Sequence, residues 1–334
     1  GRGAPPLPVT VRGSDLGVLE CASLEPELAD GLYLCRAWSG HRHGAAASLD
    51  ALARLGSVHT VAEAQQVVRE VAISCNWVLA DRAGHIGYQQ SGLLPDRRHS
   101  GLHPVPAWEE RWHWRGFVSA ARLHSVLDPA AGFLATANQD LNPPGGPLVI
   151  NLPMGGYRAD RIASLLAGCE RCTLDDMARI QNDLCSLQAE RFMALFRPLL
   201  PATFGGRLLA GWDCRYDTAS RGASLFETCY EALMREVFGT GLFGVEAWDH
   251  LNESTAVFAD YYHLFDEAVL GGDAAWFGAE GRDALVARVL AAQLGELDPA
   301  SITPWGRRQR IVMRNIFFGG GLPRWLGFDH GPVE

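Results

Sequence analysis

Asn76-Trp77-Val78-Leu79-Ala80-Asp81-Arg82-Ala83-Gly84-His85-Ile86-Gly87-Tyr88 is the stretch on which the fold turns. Residues 77–80 and 85–89 carry β-type side chains on either side of Asp81-Arg82-Ala83-Gly84, a turn whose glycine is placed to take positive φ, so the segment predicts a hairpin. Upstream of it, Thr60 and Glu63 have the spacing of a capping box. Val61, Ala64, Val67, Val68 and Val71 then share one face, which predicts a helix over 60–74. Short β-type runs at 7–11, 16–19 and 32–38 fill the region before this helix. Downstream, 92–146 is rich in proline, glycine, tryptophan and arginine and reads as a loop followed by a short strand at 132–136. A long irregular segment in a folded protein is more often functional than idle, which directs the search for a site there.

After Gly155 the pattern becomes helical. Thr173 with Asp176 resembles a second capping box, and Met177, Ile180, Leu184, Leu187, Phe192 and Leu195 form an apolar stripe. Residues 224–238 repeat the pattern and are expected to end at Gly239; 257–270 and 283–294 are further helix candidates. The texture therefore predicts an α+β protein whose first part, to about residue 155, carries the strands, and whose next part, 156–310, is mainly helical.

Composition narrows the function. The 334 residues carry a formal charge of -9, and all 29 basic residues are arginine, so chemistry that needs a lysine in this chain, such as a phosphate-binding Walker lysine or a Schiff base, is excluded. The acidic balance disfavours nucleic acid or an anionic membrane as the main partner, and no apolar run reaches the length that spans a bilayer.

Isolated motifs give little. Cys169-Glu170-Arg171-Cys172 has no second pair to complete a zinc site and reads as two thiols in a loop between helices. Gly239-Thr240-Gly241-Leu242-Phe243-Gly244 matches the dinucleotide pattern but follows a helix instead of a strand, so it reads as a helix stop and loop. His41-Arg42-His43 lacks a third ligand nearby, and no GxSxG or HExxH occurs.

Taken in order, however, the segments resemble the penicillin acylase family of N-terminal nucleophile hydrolases. The hairpin 76–88, followed by Gly92 and Pro95-Asp96-Arg97, is similar to that family's strand-turn-strand and proline-arginine loop. Trp114-Arg115-Gly116, the run 128–138 ending in Asn138, and Tyr157-Arg158-Ala159-Asp160-Arg161-Ile162 continue the match. Gln181-Asn182-Asp183 with Ser186, Trp212-Asp213 and Pro304-Trp305-Gly306 extend it.

The resemblance implies an αββα core contributed in part by residues 1–155, a helical region over 156–310, and a tail from 311 to 334 returning toward the core. It implies an amide hydrolase whose nucleophile is the N-terminal Ser of a β chain freed by autocatalytic cleavage, the free amine serving as its base, so that no triad is needed. That Ser would lie outside this chain, upstream of Gly1, and the partner would be the α chain of the same precursor. On this reading the 334 residues are a partial β chain, inactive alone. The compartment implied is the periplasm or the exterior.

By the same resemblance, Asn138 matches the asparagine whose side-chain amide donates to the oxyanion; the alternative is an Asn that ends a strand before the turn at Asn142-Pro143-Pro144. Arg158 matches the arginine that organises asparagine and nucleophile; the alternative is a surface ion pair at a helix start. Cys75 and Leu52 fall at positions that line the acyl pocket, and both would suit any core equally. Calcium is known in the family, but Gly145-Gly146-Pro147 stands where an acidic ligand is expected, so no cofactor is expected here. The substrate implied is a small acyl amide. A non-catalytic relative that keeps the fold as a binding module is the alternative function.

Overall fold

The computed structural model describes residues 9–20, 29–41, 44–142, 153–255 and 261–309, with the backbone alone for 252–255. The chain divides at Pro153 and Met154 into two units, each treated by itself below.

The first unit begins with a small antiparallel sheet of β1 (Gly13–Ser14), β2 (Gly17–Glu20) and β3 (Leu34–Arg36), in that order. Residues 9–11, expected to be extended strand, pair with nothing in this sheet. Helix α1 (Ala45–Arg54) and helix α2 (Val61–Val68) follow. The capping box at Thr60 and Glu63 is present on both sides, and Val61, Ala64, Val67 and Val68 are buried as the spacing predicted. The helix stops well short of residue 74. Glu70 and Val71 donate to the carbonyls of Val67 and Val68, tightening the last turn and ending the α-helical ladder.

The hairpin is β4 (Cys75–Ala80) with β5 (Ile86–Ser91), in antiparallel register from Cys75 opposite Ser91 to Ala80 opposite Ile86. Its turn is organised by Asp81, whose carboxylate accepts from the backbone N–H of Ala83 and His85 through one oxygen and from Val61 N–H through the other. One side chain thus closes the turn and holds the first turn of α2. Every residue of β5 from Gly87 to Ser91 is buried, covered in part by α2. The Gln65 amide donates to the carbonyls of Tyr88 and Val126, and a Cβ at Gly87 would lie 2.3 Å from Val61 Cγ1, so glycine is what lets the helix approach the sheet.

The third strand of this sheet is β6 (Ser125–Leu127), and the expected strand at 132–136 is irregular. The physical reason lies in the backbone. Asp128, Gly132 and Asn138 all take left-handed φ, at 47°, 74° and 68°, and these turn the chain away from the ladder. The loop before β6 is more ordered than its composition suggested. Asp96 N–H donates to Gly116 O, Arg115 N–H to Asp96 O and Val118 N–H to Leu94 O, so 94–96 and 115–118 run side by side. The Arg115 guanidinium closes on Asp96 at 2.6 Å.

The second unit is helical. Helix α3 (Tyr157–Ala167) is followed by α4 (Leu174–Gln181), capped by Thr173 and Asp176 as predicted, and by α5 (Leu187–Phe196), capped by Ser186. The single apolar stripe read from 177 to 195 is thus two helices. Tyr216 N–H donates to Leu184 O and Ser186 N–H to Cys214 O, and this short pairing draws 184–186 out of helical geometry. Helix α6 (Phe204–Ala210) and helix α7 (Arg221–Met234) come next. From Arg235 to Phe243 the chain continues as π-helix, and the reversal falls at Gly244, φ 83°, not at Gly239. Gly239 serves close approach instead: its missing Cβ would stand 3.0 Å from Trp248 Cγ on α8 (Val245–Thr255). The sequence Gly239 to Gly244 therefore lies in helix and its terminus, without the strand that a dinucleotide cradle needs.

Helices α9 (Tyr262–Gly271), α10 (Arg282–Leu294) and α11 (Trp305–Arg308) complete the described part of this unit. Its core centres on Phe192, which stacks on Phe265 at 6.1 Å and meets Tyr230 edge-on at 5.1 Å, with Phe196 and Phe226 beside it. Phe192, Phe196, Phe226 and Phe265 are fully buried, each worth about 1.5–3 kcal/mol of transfer free energy. The tail 311–334 lies outside the described residues.

Candidate functional site

In the first unit, Asn138 sits one residue after buried Ala137, with its own side chain exposed. Gln139 holds this corner: its Oε1 accepts from Ala137 N–H at 2.7 Å and its amide reaches Ala135 O at 3.4 Å. The left-handed φ of Asn138 is a conformation that asparagine tolerates better than most residues, and one that places the side chain outside any strand pleat. The expectation of a strand-ending Asn is thereby corrected. Asn138 closes an irregular segment, and the turn at 143–144 lies outside the described residues.

Cys75 begins β4 and is half-buried opposite Ser91. The neighbouring positions are fixed by hydrogen bonds: Trp77 Nε1 donates to Ser91 Oγ at 2.9 Å, and Ser91 Oγ donates to Ile73 O at 2.8 Å. Leu52 lies on α1 beside buried Ala51 but faces outward, 42% exposed, unlike a core leucine. A cleft of about 550 Å³ in this unit lies among Arg12, Glu20, Arg36, Trp38 and Phe117, and Leu52, Cys75 and Asn138 are not among its walls.

In the second unit, Arg158 is the second residue of α3 and is exposed, with its Nη2 3.3 Å from Met154 Sδ. It lines a groove of about 980 Å³ whose walls also include Arg161, Asp183, Tyr216, Tyr230 and Asp266. Arg161, one helical turn on, is committed: its Nε and Nη2 grip the two oxygens of Asp183 at 2.6 and 3.0 Å. This grip holds the Asp183 carboxyl below the usual carboxylate range and raises the guanidinium further. Two of the segments quoted from the sequence, 157–162 and 181–183, thus meet in space.

The groove floor holds a polar network that periodicity did not mark. Asp266 is 2% exposed, yet it stands in the buried row Phe265, Asp266, Ala268, Val269 of α9. Tyr230 Oη donates to its Oδ1 at 2.7 Å and Gln188 Nε2 to its Oδ2 at 2.7 Å. Burial raises its carboxyl to about 6 against the opposing pull of these donors. Tyr216 Oη donates to Glu227 Oε1 at 2.5 Å nearby, and burial raises that carboxyl as well. A carboxylate inside an apolar helical row is the signal in the sequence that points to such a hub.

Cys169 and Cys172 lie in the loop between α3 and α4, as expected, both as free thiols, with Cys169 Sγ donating to Leu165 O at 3.5 Å. Among the described residues, no group of three or more His, Cys, Asp or Glu side chains is arranged to hold a metal ion, and 145–147 lie outside them. No described helix is long and apolar enough to cross a membrane.

With this geometry in hand, the family model described as penicillin amidase matches residues 2–334. The chain belongs to the penicillin amidase family. Among curated members it is 31% identical over 210 residues to penicillin acylase 2 proenzyme from a Pseudomonas species, covering 57% of this chain and 26% of that one. It is 30% identical over 321 residues to the acyl-homoserine lactone acylase QuiP of Pseudomonas syringae pv. syringae, covering 88% and 38%. It is 30% identical over 175 residues to penicillin G acylase of Escherichia coli, covering 51% and 20%. The chain thus spans well under half the length of these penicillin amidase relatives. The structure also matches the thermostable penicillin G acylase of Alcaligenes faecalis, with a TM-score of 0.66 and 17% identity over 91% of this chain and 61% of that one, which shows the shared fold.

Proposed function

We propose that this chain carries part of the machinery of an acyl-amide hydrolase, acting by transfer of the acyl group to a serine and then to water. In this reading Asn138 donates from its side-chain amide to the oxyanion of the tetrahedral intermediate. Arg158 organises the asparagine and the nucleophile. The nucleophile is the N-terminal Ser of a processed β chain that extends upstream of these residues, and its free amine is the base. Cys75 and Leu52 contribute apolar wall to the acyl pocket. Residues up to about 155 supply strands to an αββα core, with an α chain of the same precursor as partner.

The single observation that supports this best is the corner at Asn138. A polar side chain is presented outward from a left-handed residue, braced by Gln139, inside a segment that the penicillin amidase family model matches throughout. Strained backbone of this kind collects at functional sites, where surrounding bonds hold it. The exposed Leu52 is in keeping with a side chain that meets an acyl group. The relatives' names, penicillin acylase and acyl-homoserine lactone acylase, support small-molecule acyl amides as the substrate class.

The test is to express the complete reading frame, look for two chains by mass spectrometry, and assay phenylacetyl and long-chain acyl amides. A matured protein that hydrolyses one of these series supports the proposal. A matured protein that hydrolyses none removes it. The 334 residues alone are expected to be inactive.

A further inference from the structure

We propose that the helical unit carries a binding site for a small organic carboxylate with a short apolar chain, in the cleft between α7, α10 and the segment 301–308. The site stands on the geometry of this unit alone, whatever the complete protein hydrolyses.

The cleft has a volume of about 490 Å³, within the range of small-molecule sites. Hydrogen bonds fix the elements around it. Trp305 N–H donates to Ser220 O and Gly306 N–H to Thr218 O, both at 2.9 Å, which lays α11 against the chain that enters α7. Arg308 then reaches along α7: its Nη1 donates to Ser224 O at 2.9 Å and to Thr228 Oγ1, and its Nη2 to Glu231 Oε2 at 2.7 Å. On the far side α10 ends at Leu294, whose carbonyl accepts from Thr203 Oγ1 at 2.6 Å.

Ser224 points to a ligand. It is 4% exposed and lines the cleft, and its Oγ is buried with no hydrogen-bond partner among the described residues. A helical serine can turn its hydroxyl back to the carbonyl four residues earlier. Here that carbonyl, Ser220 O, receives Trp305 N–H, and Ser224 Oγ makes no such bond. Native folds rarely leave a buried hydroxyl unmet, so the group marks a place where something else supplies the acceptor. Gln293, Thr303 and Arg307 belong to the same walls, and their polar ends likewise meet no partner among the described residues.

Charge selects the ligand. Among the described residues the walls include two guanidiniums, Arg307 and Arg308, and neither Asp nor Glu. Glu231 answers Arg308 from outside the cleft, which leaves the positive charge of Arg307 over. A guanidinium beside hydroxyl and amide donors suits a carboxylate or a phosphate. The remaining walls decide between them. Leu225 and Ile302, each 6% exposed, and half-buried Leu297 give the cleft an apolar side, which a bare inorganic anion would leave uncovered and the chain of a carboxylate would cover.

The experiment titrates the complete protein with hexanoate, acetate, inorganic phosphate and the neutral 1-hexanol, and follows hydrogen exchange by mass spectrometry in the peptides 221–232 and 299–309. Hexanoate should protect both peptides, acetate and phosphate should do so only at much higher concentration, and hexanol should not. Arg307→Gln should raise the hexanoate concentration needed about tenfold, through loss of a charge-assisted contact. Ser224→Ala should raise it several-fold. Without ligand, Ser224→Ala should melt no lower than the wild type, because it removes a buried hydroxyl that nothing meets. Hexanoate that protects neither peptide, or protects them equally in both variants, overturns the site. Phosphate or acetate as effective as hexanoate overturns the apolar chain, and hexanol as effective overturns the anionic head. A Ser224→Ala variant that melts several degrees below the wild type shows its hydroxyl to be partnered already and overturns the site as well. A wild type that hydrolyses no acyl amide defeats the hydrolase reading and leaves each of these outcomes as it stands.

Discussion

Arg161 and Asp183, 22 residues apart, form a two-pronged ion pair with contacts of 2.6 and 3.0 Å, and both side chains are largely shielded, at 28% and 15% exposure. The pair joins α3 to the linker after α4 and so fixes one side of the groove. Arg161→Ala should destabilise the helical unit by about 2 kcal/mol, because it strips a shielded carboxylate of its two-pronged partner and leaves Arg215 3.9 Å away. Because Arg161 lowers the Asp183 carboxyl, the contribution is present above about pH 4 and lost as pH falls through the depressed folded-state value. Urea melts of Arg161→Ala, Asp183→Asn and the double variant, compared at pH 7 and pH 3, check both statements.

Asn138 permits two substitutions with different consequences. Under the proposed acyl-amide hydrolase mechanism, Asn138→Ala and Asn138→Gly in the complete protein should both lower kcat by about 10²–10³ through loss of one oxyanion donor. Only the alanine variant should also lose about 1 kcal/mol of stability, since alanine resists the left-handed φ of 68° that glycine accepts. Equal rates for wild type and Asn138→Gly would take Asn138 out of the mechanism.

At Gly87, a Cβ would meet Val61 Cγ1 at 2.3 Å and Val126 O at 3.3 Å. Gly87→Ala should therefore push α2 off the hairpin and cost about 1–3 kcal/mol. The companion Gly84→Ala meets no neighbour but forces a φ of 97°, so its cost is local strain in the turn. Thermal melts of the two variants, with the near-ultraviolet signal of Trp77 as reporter, separate displacement of the helix from strain in the turn.

His85 and Asp128 form an exposed pair, Nδ1 to Oδ2 at 2.7 Å, with Asp128 also accepting from Ile86 N–H at 3.0 Å. Asp128 raises the imidazole above its usual value, and His85 in turn lowers the carboxyl. The raised histidine contributes stability that is full below about pH 6.5 and is lost as pH rises through its folded-state value. The lowered aspartate contributes above about pH 4 and loses its part as pH falls through its own folded-state value. The pair is thus strongest between these limits. A proton NMR titration should place the His85 midpoint above 6.5 and return it toward 6.5 in Asp128→Asn; a midpoint indifferent to that substitution would disprove the coupling.

Much of the first unit was legible because its signals are local. Thr60 with Glu63 caps a helix wherever it stands, and Asp81 to Gly84 turns a hairpin by its own chemistry. The readings that failed depended on distant partners. Nothing near Leu184 announces that Tyr216 will pair with it and break the stripe, and nothing near Gly239 announces Trp248. The strand expected at 132–136 had the right side chains, but three left-handed residues around it set the path. The site divides in the same way. Asn138 and Arg158 are candidates drawn from the order of short motifs, whereas Gln188, Tyr230 and Asp266 become a group only when three helices bring them together.

Asp81 couples the hairpin to the helix before it. Its two oxygens serve the turn on one side and the backbone of Val61 on the other, so the segment written as strand, turn and strand also encodes the beginning of a helix 20 residues earlier. In this chain neither element can be replaced alone without leaving the turn or the start of the helix short of its acceptor. What reads along the chain as two neighbouring motifs is, in the folded molecule, a single transferable module.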